Sequence, residues 1–128
     1  MMYKKILVPT DGSEFAKKAQ QHALFLAKVS GAEIIAVSVT ENNFVNGLPL
    51  DDEVYQLNQI LKERSEENLK EFDKLNEDDL KITHVIREGS PAKVILEVAK
   101  EEEIDLIVMG SVADKVVNSA KCAVLVVH

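Results

Sequence analysis

The chain has 128 residues, 46% hydrophobic and 29% charged, with a formal net charge of −7, a pI near 5.0 and one cysteine. That length fits one domain, residues 1–128, large enough to bury a core, and the acidic balance supplies no basic face, which sets aside nucleic acid and anionic membrane surfaces. A lone Cys122 excludes an internal disulfide and a cysteine-rich zinc site.

The N-terminus, "MMYKKILVPTDG", is too briefly apolar for a signal peptide. No run approaches the ~18 apolar residues that a membrane helix needs, so the expected compartment is the cytoplasm. Residues 3–10, "YKKILVPT", contain Ile6-Leu7-Val8, a continuous run suited to a strand covered on both faces. Ser13 or Asp11 can cap the helix that follows, in which Ala16, Ala19, Ala23, Leu26 and Ala27 recur at helical spacing. Gly31 closes it, because glycine tolerates the left-handed C-cap conformation. A second strand is predicted over 33–40, "EIIAVSVT", and a loop over 41–50, rich in Asn, Gly and Pro.

Val54, Leu57, Leu61, Leu69, Phe72 and Leu75 mark one face of a long second helix. Residues 80–88, "LKITHVIRE", form the third strand. The third helix is well punctuated, with Ser90 as N-cap, Pro91 at its first position, and Val94, Ile95, Val98 and Ala99 facing inward. "IDLIVMG" and "CAVLVVH" are the fourth and fifth strands, joined by the short helix "VADKVVNSA". Strict alternation of strands and helices implies a doubly wound α/β fold, a parallel sheet with right-handed crossovers and helices on both faces.

In such a sheet a ligand sits beyond the carboxyl ends of the strands, where strand order reverses. Five strands place that reversal beside the first, so the functional address is residues 9–12 and 109–112. Two enzymatic readings of "VPTDGSE" fail. An aspartyl phosphatase motif would need its nucleophile at Pro9, which has no attacking group. A phospho-receiver would need a second acid beside Asp11 and an aspartate ending the third strand, where Ile86-Arg87-Glu88 stand. What remains is a carboxylate and free helix N–H groups, suited to an amine-bearing ring. The alternative is that Asp11 only caps the helix. His22, His84 and His128 have no metal-ligand spacing and no nucleophile beside them. Cys122 reads as a small buried hydrophobe.

"KKILVPTDGSE", "REGSPAKVILEVAKEEEIDLIVMGS" and "SVADKVVNSAKCAVLVVH", in that order, resemble the universal stress protein A family over nearly the whole chain. The resemblance implies strand order 3-2-1-4-5, the adenine nucleotide alpha hydrolase-like fold, and a non-enzymatic stress-response role with adenine-nucleotide binding. Carried over residue by residue, Pro9, Thr10, Asp11 and Val39 would line the adenine pocket. Met109, Gly110, Ser111 and Val112 would be what is left of the ribose-phosphate side. Nucleotide-binding members carry Gly-x2-Gly-x9-Gly-[Ser/Thr] after the fourth strand, whereas here Gly110-Ser111 runs directly into Val112-Ala113-Asp114-Lys115, 13 residues short of that motif. Glycines in such a loop let backbone N–H groups approach phosphate oxygens. One helix terminus attracts an anion only modestly. ATP or another adenine nucleotide is therefore expected to bind weakly or not at all, with no metal site. A nucleotide-independent dimeric interaction module is the alternative. ATP hydrolysis is disfavoured, since no general base or carboxylate pair stands near Gly110. The final strand, 122–128, would lie at a sheet edge, with Ala123 in place of the family's proline. Such an edge is a pairing template, so a homodimer through it is expected, burying Val124, Leu125, Val126 or Val127.

Overall fold

A computed structural model describes residues 2–41, 49, 51–110 and 114–128. The strands are β1 (Lys5–Pro9), β2 (Glu33–Thr40), β3 (Ile82–Glu88), β4 (Leu106–Met109) and β5 (Ala123–Val126), and the helices between them are α1 (Glu14–Ser30), α2 (Asp52–Leu75), α3 (Pro91–Glu101) and α4 (Asp114–Ser119). All strand pairings are parallel and the sheet order is β3-β2-β1-β4-β5, as expected. Apart from residues 41 and 49, the expected 41–50 loop lies outside the described residues.

Alternation along the central strands divides the core between two faces. Ile6, Val8, Ile34, Ala36, Leu106 and Val108 pack against Ala19, Ala23 and Ala27 of α1 and Leu69 and Phe72 of α2. The intervening residues Leu7, Ile35, Val37, Ile107 and Met109 meet Val94, Ile95 and Val98 of α3 and Val116 of α4. The alanine stripe of α1 adds little side-chain bulk between that helix and the sheet. At ~25 cal/mol per Å² of apolar surface removed from water, this two-sided burial is the main source of stability.

Caps follow the sequence in part. Gly31 has φ +73 and its N–H donates to Ala27 O, as a left-handed C-cap should. Asp51 caps α2 through its side chain, which accepts the Val54 N–H at 2.9 Å. Ser90 occupies the N-cap position of α3 with Pro91 following, but its hydroxyl accepts no capping hydrogen bond. Proline at the first position leaves one donor fewer to satisfy there.

At the β5 edge, three of the four apolar side chains expected to pair already have contacts within the chain. Val127 is already buried within the chain, and Val124 and Val126 pack against the α3–α4 face. Among the large apolar side chains of 122–128, the exposed one is Leu125, at 37%. Nor is Cys122 the buried hydrophobe expected. It is half-buried where the chain enters β5.

Candidate functional site

The carboxyl ends of β1 and β4 diverge where the chain order reverses, and a cleft of about 110 Å³ opens there. Pro9, Thr10 and Asp11 form one wall after β1, Val39 comes from β2, and Met109 and Gly110 end β4. Six of the eight residues singled out from sequence therefore meet at one place. Ser111 and Val112 lie outside the described residues.

The β1 end is held from both sides. Thr10 donates its N–H to the Val37 carbonyl at 2.8 Å, continuing the ladder one residue beyond the strand. Its hydroxyl, 3% exposed as a residue, accepts a hydrogen bond from the Gln20 side-chain amide of α1. Thr10 is thus fixed in place, with one face toward the cleft. Gln20 Oε1 is buried without a partner among the described residues.

The structure separates the two roles weighed for Asp11. The side-chain cap of α1 is Ser13, whose Oγ accepts the Ala16 N–H at 3.1 Å. Asp11 acts one step earlier, its Oδ1 accepting the Ser13 N–H at 2.9 Å across a turn in which Gly12 has φ +81. Asp11 ties the turn and remains exposed at the cleft. A positive φ favours glycine at position 12.

Gly110 has a packing role that motif reading did not reveal. A Cβ added there would lie 2.1 Å from the Phe15 carbonyl oxygen, 2.2 Å from its carbon and 2.6 Å from the Ala16 nitrogen. Backbone of β4 and backbone of α1 touch at that point. Gly110 is therefore a close-packed contact as well as the residue that follows β4.

Sequence reasoning missed Val37, Glu41, Pro91 and Ile95, which also line the cleft with Ser13 and Ala16. Val37 was recoverable, because it shares a strand face with Val39 two residues on. Pro91 and Ile95 arrive with the N-terminal turn of α3, which a parallel crossover returns to the carboxyl edge of the sheet. Glu41 follows β2 as Asp11 follows β1, a parallel that went unread.

Elsewhere, His22 Nδ1 donates to the Lys18 carbonyl at 2.9 Å and His84 Nε2 meets Asp73 Oδ1 at 2.9 Å, both at exposed positions. Burial, and secondarily the Asp105 carboxylate, push the Cys122 thiol above its ordinary range. Among the described residues, no three His, Cys, Asp or Glu side chains are grouped to hold a metal ion, and no helix is long and apolar enough to cross a membrane.

Residues 2–112 match the model of the Universal stress protein family. The chain belongs to the universal stress protein family. A curated relative, the universal stress protein MJ0531 of Methanocaldococcus jannaschii, is 39% identical over 140 aligned positions that cover 98% of this chain and 82% of the relative. Because 98% of 128 residues are spread over 140 positions, about 15 positions of that alignment hold residues of the relative without a counterpart here. The family match itself stops at Val112, at the shortened junction. Among solved structures, MJ0577 of the same archaeon superposes with a TM-score of 0.84 at 28% identity, covering 99% of this chain and 96% of that one. A universal stress protein in complex with cAMP superposes with a TM-score of 0.69 at 25% identity, covering 100% of this chain and 99% of that one.

Proposed function

We propose that this universal stress protein is a non-enzymatic binder of adenine nucleotides, recognising the adenine end and gaining little from the phosphates. The observation that carries the reading is the convergence of Pro9, Thr10, Asp11, Val39, Met109 and Gly110 on one cleft at the sheet's reversal point. Val39, Met109 and Pro9 offer apolar contact to a flat ring. The exposed Asp11 carboxylate can accept from an exocyclic amine while still holding the Ser13 N–H. A similar structure contains cAMP, whose single phosphate makes adenosine the larger part of the ligand. The junction from Gly110 to Asp114 is too short for a glycine loop that would wrap a triphosphate.

Calorimetric titration with ATP, ADP and AMP tests this reading. Comparable weak affinities are expected. A large preference for ATP over AMP overturns it and requires a phosphate site elsewhere.

A second reading, as a dimeric interaction module, is favoured by one feature. The outer edge of β5 carries exposed Leu125 beside Phe25 of α1, 65% exposed, and a shallow groove lined by Gln21, His22, Phe25, Leu26 and Leu125 runs between them. We propose that a homodimer forms along this edge, compatible with nucleotide binding at the opposite side of β4. Closed twofold pairing would satisfy the open strand without runaway assembly.

A further inference from the structure

We infer that Gln20, a buried amide of α1, is a positioning residue of the cleft, setting the β1 wall through Thr10. This goes beyond the adenine-nucleotide reading above and rests on it.

The buried face of α1 is otherwise made of small residues. Ala16, Ala19, Ala23, Ala27 and Ser30 are buried there, and Gln20, 1% exposed, is the one long side chain buried among them. Leucine or methionine would occupy a similar volume, suit the helix as well, and leave no polar atom to satisfy. The amide instead makes one hydrogen bond, its Nε2 donating to the Thr10 hydroxyl. Its Oε1 is buried with no partner among the described residues. A buried acceptor without a donor costs stability, and so does the rotamer freedom that a glutamine loses on burial. Core packing alone therefore does not account for an amide at this position, and such departures from core rules concentrate at functional sites.

The one partner of the amide stands in the wall of the cleft. Thr10 lies between Pro9 and Asp11, and all three line it. On the β2 side the end of β1 is held by the ladder, with the Thr10 N–H on the Val37 carbonyl at 2.8 Å. On the β4 side the strand register ends at Leu7 opposite Ile107, two residues before Pro9. From Pro9 onward the sheet therefore ties the chain on one side only. Gln20 supplies a second tie, from the helix layer. Ala16, one turn earlier on α1, lines the same cleft.

Without the amide, the Thr10 side chain and the peptide planes beside it gain freedom that a bound ring must remove again. The loss of one such hydrogen bond shifts an equilibrium roughly two- to tenfold.

The test is a double-mutant cycle of Gln20→Met, Thr10→Val and both together, read by calorimetric titration with AMP and by urea unfolding. Gln20→Met should weaken AMP binding about fivefold when Thr10 is present and leave it unchanged once Thr10 is valine. The double variant replaces both polar partners by apolar groups of like shape. It should be at least as stable as wild type while binding AMP as weakly as either single variant, a separation that a purely structural role does not produce. A Gln20→Met protein that binds AMP like wild type, or that does not fold, overturns the inference. An equal loss in both backgrounds also overturns it, by making Gln20 independent of Thr10. A double variant less stable than wild type removes the argument from the unpartnered amide and overturns it too. In each of these cases the adenine reading stands. A wild type that binds no AMP overturns both.

Discussion

Replacing Gly110 by alanine tests the close contact between β4 and α1. The added Cβ would sit 2.1 Å from the Phe15 carbonyl oxygen, 2.2 Å from its carbon and 2.6 Å from the Ala16 nitrogen. Every one of these is a backbone atom, so no rotamer change can relieve the overlap. Either the end of β4 or the first turn of α1 must retreat by about 1 Å, in a core packed at crystal-like density. Overpacking of this kind costs typically 1–3 kcal/mol, and the loss of chain entropy in the unfolded state returns up to ~1 kcal/mol. A net loss of about 2 kcal/mol is expected, a large share of the 5–15 kcal/mol that usually holds a domain folded. Gly12→Ala is the control. Its Cβ would meet Asn68 Oδ1 at 2.6 Å, at the tip of a side chain that can swing away, leaving mainly the penalty of φ +81. That penalty is about 1 kcal/mol. Urea unfolding followed by circular dichroism gives both values. A Gly110→Ala protein within 0.5 kcal/mol of wild type, or more stable than Gly12→Ala, would refute the packing argument.

Ser13→Ala, which loses the bond to the Ala16 N–H, should cost about 1 kcal/mol. Asp11→Ala, which loses an exposed bond to the Ser13 N–H, should cost about 0.5 kcal/mol but weaken adenosine binding more than Ser13→Ala does. The reverse order in binding would leave Asp11 a purely structural residue. Cys122, its thiol raised by burial and by Asp105, holds less thiolate at neutral pH than a free thiol. Alkylation by iodoacetamide at pH 7 should be slower than for a peptide cysteine and should quicken as pH rises through the raised pKa; a rate equal to the peptide's counts against it. Inserting a Gly-x2-Gly-x9-Gly-Ser loop after Gly110 should raise ATP affinity at little cost in stability, since closure entropy grows slowly with length. Unchanged ATP affinity in a folded insertion protein removes the argument from the missing loop. In light scattering at micromolar concentration the wild type should be a dimer and Leu125→Lys a monomer. Leu125 is the appropriate position, because Val126 packs inward and its replacement would perturb the monomer itself. A monomeric wild type ends the edge-pairing proposal.

Strand order and layers were legible because they depend on patterns that survive without knowledge of contacts. Continuous apolar runs at 6–8 and 106–109 mark strands covered on both faces, and the alanine spacing of 16, 19, 23 and 27 marks the helix above them. Half of the cleft was legible for the same reason, since strand ends can be counted along the chain. The packing of Gly110 against Phe15 was not, because it joins residues nearly a hundred positions apart. Nor did the letters show which of Asp11 and Ser13 caps α1. Both types suit that position, and the choice rests on the turn that Gly12 permits. Ser90 does stand at the expected N-cap position of α3, without a side-chain cap bond.

The two halves of the proposed site depend on the fold differently. Pro9, Thr10, Val39 and Met109 are placed by the ladder itself, with Thr10 held by the Val37 carbonyl and by Gln20. Nothing in that half requires the segment after Gly110. A phosphate loop would be an excursion from the β4–α4 junction, supported by its own glycines rather than by the sheet. Shortening that junction can therefore remove phosphate recognition while leaving the ring-binding wall intact. At the start of that junction, Gly110 lies against the first turn of α1, where only a hydrogen fits. On the proposed reading, affinity for the ring with little gain from the phosphates then follows from one change in the chain, the shortened junction after Gly110.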